Sequence, residues 1–396
     1  MNLHRHQSFL VGNYAPPPIE IVRGAGTKLW DSAGKEYLDF TSGIAVTNLG
    51  HSHPEWIKKV QEQTGKLVHC SNLFSIPGQV RLAQRLVEKI GDGKLLFCNS
   101  GAEANEALIK LARLHGQKTS IDNPKILVAS NGFHGRTLGA LSATQSPKYR
   151  DGFEPLLPGF VFCNFNDLSD FERAIDKQTV AVLVESIQGE GGLYVAKDDF
   201  LQGLQKLCQQ HHLLLCMDEV QAGISRTGEF LGYQKSGIQP DAIAMAKGLG
   251  GGFPIGAVWI NPKHATLFTP GSHGTTFGGS PLACSAAHAV LDIIESENLT
   301  IRAQKMGNLL LGGLEKISSQ FPHYLLEIRG RGLMLGLQLS FEPAKLIPTL
   351  RENGLLTVGA AGQTLRLLPP LTVNEEEILQ SLEILHAGMS QIDLKI

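Results

Sequence analysis

Through the middle of the chain, short runs of apolar residues alternate with longer stretches of helical periodicity. The runs at 95–98, 126–129, 160–163, 180–185, 213–218, 242–246 and 255–260 are mostly unbroken in hydrophobic residues. Such continuity predicts strands covered on both faces, as in a mostly parallel sheet, because a half-exposed strand would alternate apolar with polar residues. Helical patterns at 104–115 and 200–210 fall between them. The alternation predicts an α/β fold built on a seven-stranded sheet.

The two ends read differently. Residues 17–40 predict a small antiparallel element, with strands at 19–23, 28–31 and 36–40 and a turn at 32–34. Helical patterns follow at 283–296 and 302–320, then a strand at 332–339 and a last helix at 375–389. The expected organisation is a large central domain at 66–282. A smaller α+β domain would be assembled from 1–65 and 283–396.

Composition narrows the class. Hydrophobic residues make up 42% and charged residues 18% of 396, too apolar for a disordered chain. Lys plus Arg is 35 against 37 for Asp plus Glu. A net charge of -2 offers no field to attract nucleic acid or an anionic membrane. The six cysteines form no C-x-x-C pair, which removes the usual zinc and redox motifs. Met1-Asn2-Leu3-His4-Arg5-His6 lacks the apolar core of a leader, so the reduced cytoplasm is the expected location.

Chemistry-bearing residues gather where predicted strands end. Ser100-Gly101-Ala102-Glu103 lies between a strand and a helix with capping-box spacing. A helix start of that kind can also seat a phosphate on its free N–H groups. Asp218 closes the apolar run 213–218. A carboxylate at a strand's carboxyl end faces the ligand crevice of a parallel sheet, and there it could pair with a protonated ring nitrogen. Lys247 stands between an apolar strand and the glycine-rich Gly248-Leu249-Gly250-Gly251-Gly252, an amine placed to condense with an aldehyde. Phe133-His134-Gly135-Arg136 offers a stacking ring and a carboxylate clamp. His273-Gly274-Thr275-Thr276-Phe277-Gly278-Gly279 offers hydroxyls and backbone groups for a phosphate. Singly, each has an ordinary explanation: a helix cap, a solvated lysine, a packed turn. Their convergence supplies the parts of a pyridoxal-5′-phosphate (PLP) site.

Five motifs in this order and spacing resemble the class III (ω-) aminotransferases. They are Ser100-Gly101-Ala102-Glu103-Ala104-Asn105-Glu106, Phe133-His134-Gly135-Arg136-Thr137 and Glu185-Ser186-Ile187-Gln188-Gly189-Glu190-Gly191-Gly192. With them go Asp218-Glu219-Val220-Gln221 followed by Arg226-Thr227-Gly228, and Lys247-Gly248. Within that class the pattern is most similar to the branch acting on N2-acetylornithine.

The resemblance implies a PLP-dependent transferase of fold type I. It implies a homodimer with shared active sites and no metal, using an amino donor and 2-oxoglutarate or glutamate. It implies that Lys247 binds PLP and that Asp218 pairs with the ring nitrogen. Val220 and Gln221 would lie beside the ring, and Phe133 would stack on it. Ser100, Gly101 and Ala102 would cradle the phosphate, and Thr276 would reach the phosphate in the partner subunit. Arg136 would bind the donor's α-carboxylate, Arg366 that of 2-oxoglutarate, Glu190 would mask Arg366, and Thr275 would lie beside the substrate. Ala102 stands where the family commonly has threonine, which removes a hydroxyl and keeps the backbone donor. Succinylornithine, N-succinyl-diaminopimelate, ornithine, 4-aminobutyrate and putrescine are the alternative donors, and an inactive binding protein of the same fold is the other alternative.

Overall fold

A computed structural model of the chain describes residues 9–392, so the stretch Met1–His6 read above lies outside the described residues. Three strands open the described chain, β1 (Ile21–Ala25), β2 (Lys28–Asp31) and β3 (Glu36–Asp39), paired antiparallel in that order. The first begins two residues later than its apolar pattern predicts. Pro16-Pro17-Pro18 precede it, and proline has no N–H to give a ladder. Helices α1 (Pro54–Thr64) and α2 (Pro77–Ile90) follow, each with proline at its first turn.

The central sheet then builds from β4 (Lys94–Cys98), β5 (Lys125–Ala129), β6 (Phe160–Cys163), β7 (Thr179–Glu185), β8 (Leu214–Asp218), β9 (Ala242–Met245) and β10 (Gly256–Ile260). Helix α3 (Gly101–Lys118) connects β4 to β5, and α4 (Asp198–His211) precedes β8. Its strand order is β4-β10-β9-β8-β7-β5-β6. Only β10 runs against its neighbours, β9 and β4. All seven residues of β7 and all five of β8 are buried, the outcome of unbroken apolar sequence between covering layers. Because β10 reverses twice over, β4 is parallel to the rest. The carboxyl ends of β4, β5, β7, β8 and β9 therefore open at one edge.

After the sheet come α5 (Pro281–Ser296) and α6 (Leu299–Gln320), then β11 (Leu325–Arg331), β12 (Met334–Leu339), β13 (Leu355–Leu356), β14 (Val358–Ala360), β15 (Thr364–Leu367) and α7 (Glu375–Ser390). The strand predicted from 332 starts at Met334, because Gly332 adopts φ 59° in the turn from β11. Four of these strands form a sheet ordered β11-β12-β15-β14. The fifth, β13, leaves it and pairs parallel to β3, placing Leu355 opposite Leu38. The N-terminal sheet is thus completed by residues more than three hundred positions away. The main hydrophobic core runs from Leu38 and Phe40 through Met217 and Met245 to Leu365 and Met389.

Candidate active site

At the common edge of the sheet, Ser100 caps α3 and its side chain accepts a bond from the Glu103 N–H at 3.2 Å. The reciprocal half of the expected capping box is displaced by one residue. Glu103 Oε2 takes the N–H of Asn99 at 2.7 Å and its Nδ2 at 2.9 Å. The N–H groups of Gly101 and Ala102 keep no partner among the described residues, at the positive end of an 18-residue helix. Gly135 packs onto that helix start: with φ 139°, a Cβ there would fall 2.8 Å from the Ala102 Cβ. The backbone approach requires glycine.

Asp218 closes β8 with 4% of its surface exposed. Its Oδ2 accepts from Asn105 Nδ2 and from His134 Nδ1, both at 2.7 Å, and its Oδ1 accepts the N–H of Val220 at 3.0 Å. Three donors behind the carboxylate fix its plane. They also set the His134 tautomer, since the nitrogen facing an anion carries the proton. The next acid turns away, for Glu219 takes the N–H groups of Gly232 and Tyr233. Strand register puts Glu185, the last residue of β7, directly opposite Asp218. Burial and the charge of Asp218 push Glu185 well above the usual carboxylate range, and its Oε2 holds the N–H of Phe133 at 3.1 Å.

Lys247 follows β9 with φ 44°, a left-handed conformation that side chains other than glycine's rarely adopt. A Cβ on Gly248 would lie 2.2 Å from Asn48 Nδ2, so the loop packs too tightly for any larger residue after the lysine. Burial lowers the Lys247 amine to about 8. Arg366 adds to that effect, and Glu190, Asp218 and Glu185 oppose it.

These groups line one cavity of about 240 Å³, with Gly101, Ala102, Phe133, Arg136, Val220 and Gln221 on its walls beside Asp218 and Lys247. Gln221 links it to a second cluster. The Gln221 Oε1 accepts from Arg366 at 3.0 Å, and its Nε2 donates to Glu190 at 3.3 Å. Arg366, 1% exposed on β15, pairs with Glu190 Oε1 at 2.6 Å and Oε2 at 3.4 Å. Burial works to raise the Glu190 pKa, but the charge and hydrogen bond of Arg366 outweigh it and hold the pKa below its ordinary value.

Most residues marked from the sequence thus converge. Ser100 serves as the helix cap. Thr275 lies outside the cavity wall, where its Oγ1 accepts from Asn99 Nδ2 at 3.1 Å. Thr276 is exposed. Asn105, His134 and Glu185 line the cavity without having been assigned any role from the sequence. Glu185 carried the same signal as Asp218, an acid ending an apolar strand. Asn105 carried a different one, a buried amide on an otherwise apolar helix face one turn after Gly101.

The donor set fits PLP. Two free N–H groups at a helix start suit a phosphate, and an anchored carboxylate suits a ring nitrogen. Phe133 offers a ring face, and a lysine of lowered basicity suits an aldehyde. Asn105 Oδ1 is buried without a partner beside the same cavity.

Comparison with known proteins gives the same answer. A sequence profile described as aminotransferase class-III matches residues 11–389. The chain is 46% identical over 379 residues to an acetylornithine aminotransferase of Aquifex aeolicus, covering 96% of this chain and 99% of that one. Among solved structures, it superposes on an acetylornithine aminotransferase from Elizabethkingia anophelis with TM-score 0.88 and 34% identity, covering 98% of each chain. An ornithine aminotransferase from Toxoplasma gondii superposes with TM-score 0.94 and 32% identity, covering 98% of this chain and 94% of that one.

Proposed function

The chain belongs to the class-III aminotransferases, PLP-dependent transferases of fold type I, and from that membership we propose its reaction. It transfers the δ-amino group of N2-acetyl-L-ornithine to 2-oxoglutarate, giving N-acetyl-L-glutamate 5-semialdehyde and L-glutamate, a step of arginine biosynthesis. The carrying observation is the Arg366–Glu190 pair, whose charges act on the Lys247 amine. One pocket must take a terminal amine and later an α-amino acid. A buried arginine whose charge can be masked or released serves both.

Pyridoxal phosphate, when bound, supplies an aldehyde that captures an amine and a protonated ring that stabilises negative charge on the adjoining carbon. Lys247 would hold it, and its Nζ would be the base that moves a proton at the donor's amine-bearing carbon. Asp218, held by Asn105, His134 and the Val220 N–H, would present its carboxylate to the ring nitrogen. Gly101 and Ala102 offer their N–H groups to the phosphate, with Ser100 fixing the helix start. Val220 and Gln221 would flank the ring, and Phe133 would cover it. Arg136 binds the donor's α-carboxylate, and Arg366 that of 2-oxoglutarate once Glu190 swings away. Thr275 borders the substrate. Acylation of the α-nitrogen stops the product aldehyde from cyclising on it.

A homodimer goes with this function. Thr276 is exposed next to the 64% exposed ring of Phe277, which suits a loop that reaches a second copy's phosphate. Five of the six cysteines are buried free thiols, which suits the reduced cytoplasm. No helix among the described residues is long and apolar enough to cross a membrane.

Following the cofactor spectrum as each candidate donor is added to the holoenzyme tests the assignment. N2-acetylornithine should convert the bound cofactor fastest. A strong preference for 4-aminobutyrate or putrescine would exclude it. The similarity to an ornithine aminotransferase makes free ornithine the second donor to measure.

Two further results are expected. Arg136→Ala removes a charge-assisted contact and should raise the donor KM about tenfold or more, with kcat little changed because the contact is made equally in ground and transition states. An unchanged KM would assign that carboxylate to another residue. Attachment of PLP to the cofactor-free protein should follow the Lys247 amine, whose pKa lies near 8. Below that value most of the amine is protonated and cannot attack. The rate constant should fall nearly tenfold per pH unit below about 8 and level off above it. A flat profile from pH 6 to 9 would contradict the assignment.

A further inference from the structure

A second, partly open cavity of about 500 Å³ adjoins the first, lined by Phe133, Lys148, Tyr149, Glu190 and Gly191 and bordered by residues 342–344 and 359–363. Tyr149 comes from the short helix Pro147–Arg150, which carries none of the five motifs. Its ring meets Phe133 edge-on, with centroids 5.4 Å apart and planes at 75°. The Arg136 guanidinium carbon lies 4.2 Å from the centroid of Tyr149 and 5.7 Å from that of Phe133. Arg136 has no carboxylate or carbonyl partner among the described residues, so aromatic contact alone steers it. Contact through a ring face engages none of the N–H donors, which stay free for a planar anion.

Tyr149 is also within electrostatic reach of the other cation. Burial raises its phenol pKa, the charge of Glu190 adds to the rise, and Arg136 and Arg366 both oppose it. One ring therefore feels the charge of both arginines assigned to carboxylates, and touches only Arg136 of the two.

We propose that Tyr149 is a specificity-determining positioning residue, whose ring holds the Arg136 guanidinium at the cavity so that the enzyme selects ω-amino donors bearing a distal carboxylate. The proposal rests on the assignment of Arg136 to the donor carboxylate. It adds that an aromatic face, rather than an ion pair, keeps that arginine both oriented and unoccupied.

The test compares Tyr149→Leu, Tyr149→Phe and Tyr149→Leu in an Arg136→Ala background, all as holoenzymes, by kcat and KM for both substrates. The donor is whichever carboxylate-bearing ω-amine the wild type accepts best. Failure of N2-acetylornithine as substrate would then show in the wild type and leave the Tyr149 comparison intact. Loss of the ring should raise the donor KM about 5- to 30-fold, with kcat within about twofold. Tyr149→Phe, which keeps the ring, should stay within about threefold of wild type, and Tyr149→Leu should add less than about twofold once Arg136 is gone. An unchanged donor KM in the leucine variant would overturn the proposal. So would a phenylalanine variant as impaired as the leucine one, or full additivity with Arg136→Ala. Tyr149→Met takes the place of the leucine variant if that one does not fold.

Discussion

Lys247→Ala should eliminate turnover, by more than about 10,000-fold, and with it the visible absorbance of lysine-linked cofactor. The size follows from two losses at one atom. The cofactor loses its covalent anchor, and the donor's carbon loses the base that moves its proton. The remaining acids of the cavity do not replace that base. Asp218 is held by three donors and committed to the ring nitrogen, and Glu185 is held by the Phe133 N–H with its neutral form favoured. The left-handed backbone at 247 suits alanine no better than lysine, so any change in thermal stability should be small beside the loss of rate. Steady-state rates with the absorbance spectrum check both effects. Turnover near that of the wild type would remove Lys247 from the mechanism.

Asp218→Asn should cost about 100- to 10,000-fold in kcat, the range set by breaking a buried charge pair while leaving its partner in place. The amide removes the negative charge that keeps the ring nitrogen protonated. It also meets a wall of donors. Asn105 Nδ2 and His134 Nδ1 point at one oxygen position and the Val220 N–H at the other, so the new NH2 group opposes a donor whichever way it turns. Cofactor should still attach, because Lys247 is intact, but its absorbance should shift and the first half-reaction should slow. Single-turnover kinetics with the donor separate that slowing from weaker binding. An unchanged half-reaction rate would mean that Asp218 does not serve the ring.

The sequence exposed what depends on local pattern. Apolar runs located all seven strands of the central sheet, most clearly the inner ones, where burial on both faces leaves no polar positions to confuse the period. Asp218 and Lys247 were legible as polar residues where such runs end. Residues whose purpose depends on a distant partner were not. Asn105 lies 113 positions from Asp218 and His134 lies 84, and nothing local distinguishes a buried amide or imidazole that orients a carboxylate from one that merely fills space. Strand β13, two residues long, has no period to detect, and its parallel pairing with β3 spans the length of the chain. Tyr149 sits on a four-residue helix with no apolar repeat. Arg366 was found only through family resemblance, since the run Leu365-Arg366-Leu367 gives no hint of Glu190, 176 positions earlier.

Borohydride reduction of the PLP-loaded protein, followed by proteolysis and peptide mass measurement, fixes the cofactor to whichever amine holds it. The phosphopyridoxyl mass should appear on the peptide containing Lys247 and on no other. Its appearance on a different lysine, or its absence from every peptide, would contradict the site described.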